Sequence, residues 1–256
     1  MDKFTTYYKL FKAALISLPL FLISQNSSAD ALGLRVSAGA WDYSPSGDIR
    51  NSPNASDTFN LQSDLGIEDQ TSFEGFVYFE HPIPIIPNFR FGVTELKLTG
   101  TGNTTTNKSW DGIPIDAGGV NTDIDLSHTE LGLYYELWDT GFDFDLGVNV
   151  KFFDGTVKLQ DSSSNTANTS FNETVPMLYG HFGVPLPVGF SIQGDISWIS
   201  YDSNTFSDYL ISVGWTSNYM IGVELGYRKM AVDYSDGDEY ADVTIDGPYL
   251  NATLKF

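Results

Sequence analysis

The sequence predicts an all-β fold: a transmembrane antiparallel up-and-down β-barrel of about ten strands, with eight as the alternative count. Three observations predict it. Apolar residues recur at every second position through successive segments of the chain, and the links between those segments alternate between short and long. No stretch is apolar for the roughly 20 residues that a spanning helix needs. In Phe142–Phe153, "FDFDLGVNVKFF", every even position is apolar, while Asp143, Asp145, Gly147, Asn149 and Lys151 lie between them. Such a strand has one greasy and one charged face. What decides the architecture is which solvent the greasy face meets.

The chain opens on Lys3, Lys9 and Lys12, continues with "AALISLPLFLI" from Ala13 to Ile23, and closes its leader with "SQNSSADA". That order predicts a secretory signal peptide over residues 1–29, with cleavage after Ala29 and Ala31 as the alternative end, leaving 30–256 as the barrel. The first strand segment is expected near 32–43, with Leu32, Leu34, Val36, Ala38 and Ala40 on one face. In 72–81, Phe73, Gly75, Val77 and Phe79 alternate with Glu74, Phe76, Tyr78 and Glu80. In 88–99, Phe89, Phe91 and Val93 share a face but Leu96 and Leu98 have the opposite parity, which predicts a bulge near Thr94 or Glu95.

Segment 125–138 sets Leu131, Leu133, Tyr135 and Leu137 against Glu130 and Glu136, and is followed by 142–158 and 173–184. Segment 190–201 carries Phe190, Ile192, Gly194, Ile196 and Trp198 against Asp195; 208–217 carries Tyr209, Ile211, Val213 and Trp215. Segment 219–231 sets Tyr219, Ile221, Val223, Leu225 and Tyr227 against Glu224 and Arg228, and 243–256 ends on Leu250, Ala252, Leu254 and Phe256. An even number of strands suits a single-chain bacterial barrel.

Long polar links are expected at 44–71, 100–124 and 159–172, a modest one at 202–207 and an acidic one at 232–242. Short links fall at 82–87, 139–141, 185–189 and 217–218, several rich in proline, which denies donors to a ladder. Short turns at one end and longer loops at the other are the transmembrane-barrel layout, with both termini periplasmic and the long loops outside.

Composition excludes several classes. With 13 basic against 33 acidic residues and a net charge of −20, nucleic acid is not an expected partner. The absence of cysteine argues against a disulfide scaffold and zinc–thiolate sites. The stretches "LGLRVSAGAWDYSPSGDI" (Leu32 to Ile49), "DLGIED" (Asp64 to Asp69) and "EHPIPIIPNFRF" (Glu80 to Phe91) resemble an uncharacterised family of small proteobacterial outer-membrane β-barrel proteins. The resemblance implies fold and outer-membrane location, and brings no catalytic or ligand-binding residues with it. The terminal Phe256 resembles the signal read by the outer-membrane assembly machinery. Outer-membrane lipid, lipopolysaccharide and that machinery are the expected partners.

Strand parity points Arg35, Glu80, Arg90, His128, Glu130, Glu136, Asp143, Asp145, Lys151, His181, Asp195, Glu224, Arg228 and Lys255 inward. The candidate lumen-lining set is Glu130, Glu136, Asp143, Asp145, Lys151, Asp195, Glu224 and Arg228. A barrel of this size is narrow enough for side chains to fill, so the expectation is a salt-bridged plug, with a narrow conducting path as the alternative. Glu130, Glu136, Asp143 and Asp145 are expected to lie close together, held by Lys151 or by cations from other strands.

No catalytic site is expected. Ser127, His128 and Glu130 are adjacent, but Ser127 points through the other face. Three scattered histidines give no metal spacing and no cofactor motif appears; weak Ca²⁺ binding at the acidic loop 233–246 is the one ion site expected. The expected function is a structural outer-membrane barrel or a narrow channel for small solutes. The alternatives are a surface binding or adhesion module acting through loops 44–71 and 100–124, and a barrel enzyme.

Overall fold

The computed structural model describes residues 32–256, so the expected leader and its cleavage site lie outside the described residues. Fifteen strands follow in chain order. They are β1 (Gly33–Asn51), β2 (Phe59–Asn60), β3 (Gln70–Glu80), β4 (Asn88–Thr94), β5 (Lys97–Thr104), β6 (Lys108–Trp110), β7 (Ile113–Ile115) and β8 (Gly118–Asp125), then β9 (His128–Trp138), β10 (Asp143–Asp161), β11 (Thr166–Pro185), β12 (Phe190–Tyr201), β13 (Asn204–Thr216), β14 (Ile221–Asp236) and β15 (Glu239–Lys255). Ten of them are the staves of a closed antiparallel barrel: β1, β3, β4, β9, β10, β11, β12, β13, β14 and β15, with β15 returning to β1. Closure satisfies the backbone of every stave from its neighbours, as a spanning sheet requires.

Four short turns, the start of β1 and the end of β15 lie at one end of the barrel, called here the turn end. The other, the loop end, is where the strands outgrow the segments expected from sequence. β1 continues to Asn51, β10 and β11 run to within a four-residue turn of each other, and 232–242 is a hairpin with Asp236 paired to Glu239. The link 100–124 is itself built of strands, because β8 pairs with β5 on one side and with the top of β10 on the other. Polar composition marked these stretches as loops, but they extend the ladders of the staves beneath them.

The bulge expected near Thr94 does not form. Arg90, Gly92, Thr94, Leu96 and Leu98 are all buried and keep one inward parity, although the ladder pauses between β4 and β5. There the Glu95 N–H donates to the Phe73 carbonyl and the Leu96 N–H to Ser127 Oγ, each at 2.9–3.0 Å. The two leucines face inward because the loop end of the lumen is apolar. They share a buried cluster with Trp41 and Tyr43 of β1, Phe59, Leu61, Leu65 and Ile67 of the β1–β3 connection, and Trp110 and Ile115 of the β6–β7 hairpin. The Tyr43 hydroxyl donates to the Lys97 carbonyl at 2.9 Å, and Trp110 Nε1 to Thr169 Oγ1 at 3.1 Å, so the connections are folded over the opening.

The outward face reads differently. Across the register, Leu146, Gly180, Ile196 and Tyr209 form one outward row, and Phe144, Phe182, Gly194 and Ile211 the row below it. This belt is bounded toward the turn end by Phe79, Phe89, Trp138, Phe142, Phe190 and Trp215, and toward the loop end by Phe73, Phe152, Trp198, Tyr201 and Tyr227, all exposed. An apolar outward band between two aromatic girdles is the surface of a barrel embedded in lipid.

Leu146 lies inside that band and is exposed. Leu146→Arg is expected to cost roughly 2–4 kcal/mol of stability, the penalty for a guanidinium near the bilayer midplane. Denaturant titration of the protein refolded in lipid vesicles measures it; a cost no greater than that of a neutral polar residue there would contradict the lipid-facing assignment.

Candidate functional site

The inward face at mid-barrel carries six charges on six staves: Glu74 (β3), Arg90 (β4), Glu130 (β9), Lys151 (β10), Asp208 (β13) and Arg228 (β14). Period-2 alternation puts each of them inward, and closure brings them into one network. Arg228 grips Asp208 with two parallel bonds, Nε to Oδ1 at 3.0 Å and Nη2 to Oδ2 at 2.7 Å, and reaches across the lumen to Glu74 at 3.0 Å. Lys151 bridges Asp208 at 2.8 Å and also pairs with Glu130, whose other oxygen takes Arg90. The side chains of all six are at most 3% exposed.

Three cations balance three carboxylates, which is the condition for tolerating ions in a low-dielectric interior. Neutral groups complete the layer. Asn149 donates to Ser197 at 3.0 Å and to Glu130 at 3.3 Å, Asn251 donates to Glu74 at 2.9 Å, and Arg228 lies over the Trp41 ring at 4.7 Å. His128, expected to face inward, is buried against Phe153 with its ring centroid 4.6 Å away, and its Nε2 is 3.4 Å from Lys151 Nζ.

Below this layer, toward the turn end, tyrosines hold the acids. Tyr179 donates to Asp195 at 2.5 Å, and His181 approaches the same oxygen at 3.3 Å. Tyr249 donates to Glu224 at 2.7 Å and Tyr134 to Glu80 at 3.2 Å. Arg35 bonds Gln193 and stacks on Tyr78, 3.9 Å from its centroid.

The eight candidate lumen residues therefore fall into three groups. Glu130, Lys151 and Arg228 belong to the central network, Asp195 and Glu224 to the tyrosine layer, and Glu136, Asp143 and Asp145 to the mouth at the turn end. The expectation that Glu130 shares a cluster with the other three acids is overturned. Lys151 reaches toward Asp208, not toward the mouth, and takes Glu130 with it. Asp145 is left between Glu136 and His181 on the neighbouring strands, with its buried Oδ1 unbonded.

Two members of the network, Glu74 and Asp208, were not among the expected lumen charges. Asp208 was legible: it has the inward parity opposite to Tyr209 and Ile211, but falls at the very start of its segment. Phe256 closes the last rung, exchanging backbone bonds with Leu34 at 2.8 and 3.2 Å.

Ser127 accepts the Leu96 N–H and belongs to the strand break. Among the described residues no group of three or more His, Asp or Glu is arranged to hold a metal ion, and the acidic stretch 233–246, where weak Ca²⁺ binding is expected, is a strand hairpin. There Asp233 pairs with Asp242 and Asp236 with Glu239 along a regular hairpin, which spaces the acids over successive rungs.

No family model matches the chain, and no curated protein matches its sequence. Among solved structures it is similar to Ail, the attachment invasion locus protein of Yersinia pestis, at 10% identity and a TM-score of 0.38, covering 89% of this chain and 100% of that one. It is similar to the outer membrane protein OprG of Pseudomonas aeruginosa at 10% identity and 0.31, covering 89% and 97%. The toluene transporter TodX of Pseudomonas putida matches at 12% identity and 0.29, covering 95% and 92%. The barrel assignment rests on the strand pairing of this chain itself.

Arg228→Met leaves Asp208 and Glu74 short of a cation and is expected to destabilise the barrel by about 3–5 kcal/mol, the cost of breaking a buried pair from one side. Asp145→Asn removes a carboxylate that has no Lys or Arg partner among the described residues, and is expected to leave the unfolding midpoint unchanged or higher. Thermal unfolding of the two variants side by side measures the contrast; equal destabilisation by both would mean that the mouth acids are part of the network.

Proposed function

We propose that this chain is an integral outer-membrane protein whose lumen is sealed, with both termini on the periplasmic side and the folded loop end outside, and that its role is structural. The observation that carries this reading is the balanced six-charge network across the middle of the barrel. Conduction needs sites that an ion can enter and leave, whereas here each central charge is already neutralised by an opposite charge on an adjacent or facing stave. A second seal lies in series with it: the apolar cluster of Trp41, Phe59, Leu61, Leu65 and Trp110 at the loop end. The outward band supports a membrane location, and the leader expected from sequence supports export to the outer membrane. In this reading the belt meets outer-membrane lipid and lipopolysaccharide, Phe256 serves the assembly machinery, and the chain catalyses no reaction.

The folded loop end favours a second reading, a surface binding module. Lys108 of the β6–β7 hairpin bonds both the Thr58 carbonyl and Asp64, at 2.7 Å from the latter, so connections 44–71 and 100–124 form one ordered surface. Ordered loops lose less conformational entropy on meeting a partner.

Refolded protein in a planar bilayer is expected to show no ohmic steps. Regular cation-selective steps would overturn the sealed-barrel reading. Trp110→Ala, which loosens the loop-end cluster but not the charge layer, is expected to speed proteolysis of residues 52–69 while the bilayer stays silent. Conductance appearing in that variant would show that the cap alone blocks the path.

A further inference from the structure

The tips of the turn-end connections are apolar where an aqueous surface would be polar. Ile85, Val188 and Tyr219, at the tips of three different turns, are 83%, 85% and 87% exposed. Across turn residues 81–87, 139–142, 186–189 and 217–220, Asp139 and His81 are the only titratable side chains apart from Tyr219. Exposed aliphatic groups on successive tips call for an occupant.

Hydrogen bonds from the belt show which way the tips lean. Tyr135, an outward residue of β9, donates its hydroxyl to the Ile85 carbonyl at 3.0 Å. Trp215, outward on β13, donates Nε1 to the Val188 carbonyl at 3.2 Å. Trp138 donates Nε1 to the Thr140 carbonyl at 2.9 Å and stacks on Phe142 at 5.7 Å. Three lipid-facing aromatics thus reach past the end of the sheet and tie turn carbonyls to the outer surface of the wall.

The same device explains a strained residue. Val188 has φ of 59°, a left-handed conformation that a β-branched side chain rarely takes. Gly189 follows it, also at positive φ, in a spot where a Cβ would lie 2.3 Å from the Thr216 carbonyl. The turn accepts this strain and presents its isopropyl group outward instead of burying it.

We propose that these turns are membrane anchors: Ile85, Val188 and Tyr219 insert into the headgroup–acyl boundary of the leaflet at the turn end, so that the lipid-contacting surface continues past the last rung of the ladder. The occupant is lipid because the tips are continuous with the apolar belt and are bonded to its aromatic residues. Amphipathic Trp and Tyr rings favour that depth, and satisfying the turn carbonyls from them removes the main cost of placing irregular backbone there. This inference rests on the membrane reading above and extends it from the strands to the turns.

The chain has no cysteine, so single nitroxide labels can be placed at Ile85→Cys and Val188→Cys, with Leu146→Cys as the belt control and Asp238→Cys, in the loop-end hairpin, as the aqueous control. Each variant is refolded into phosphatidylcholine vesicles, and collision with dioxygen is compared with collision with a water-soluble nickel chelate. Ile85 and Val188 are expected to favour dioxygen, as Leu146 does. If both tips match Asp238 while Leu146 favours dioxygen, the tips stand in water and the anchor inference is overturned with the membrane reading intact. If Leu146 itself matches Asp238, the membrane reading falls and the inference with it.

Discussion

The balanced charge layer at mid-barrel is the constraint on which the rest of the structure depends. Glu74, Arg90, Glu130, Lys151, Asp208 and Arg228 are each too costly to bury alone. They are tolerated because each lies within reach of an opposite charge: neighbouring staves supply Arg90–Glu130, Lys151–Glu130 and Arg228–Asp208, and closure of the sheet adds Lys151–Asp208 and Arg228–Glu74 across the lumen. A buried ion pair adds little net stability over a well-packed apolar one, but it penalises the alternatives severely. A slip of one residue in any of these six staves would turn a charge into lipid and strand its partner inside. The layer is therefore best understood as the device that fixes register around the barrel.

The composition of the lumen varies with height. At mid-barrel the ions pair with one another. Toward the turn end Tyr134, Tyr179 and Tyr249 supply hydroxyls to Glu80, Asp195 and Glu224, so carboxylates there are held by neutral donors. Toward the loop end the lumen becomes apolar and is filled by the chain's own connections. Asp143 and Glu136 lie exposed at the mouth, where water screens them.

The two ends also differ outside the lumen. The loop end carries the folded connections and acidic hairpins, and its surface is charged. At the turn end, short connections bend back on the belt through Tyr135, Trp138 and Trp215, and expose aliphatic tips. One end is built to meet water and the other to meet the membrane boundary, which gives the barrel a fixed depth as well as a fixed register.

Alternation by itself determined the strands and their faces, because side chains on an extended chain point to opposite sides at every step whatever the tertiary fold. Phe144 and Leu146 outward, Asp145 and Lys151 inward, and ten staves all follow from that local rule. Parity also told that Leu96 and Leu98 lie opposite Phe91, but not that they are inside. That depended on Leu61, Leu65 and Trp110, distant in sequence, folding over the opening. In the same way, parity aimed Lys151 inward but could not choose among Asp145, Glu130 and Asp208. Its partner was decided by which staves closure sets facing one another, since pairing across a lumen depends on the stagger of the whole barrel. The polar stretches 44–71 and 100–124 were legible as connections, yet their strands and their packing exist only because the staves below provide ladders to extend.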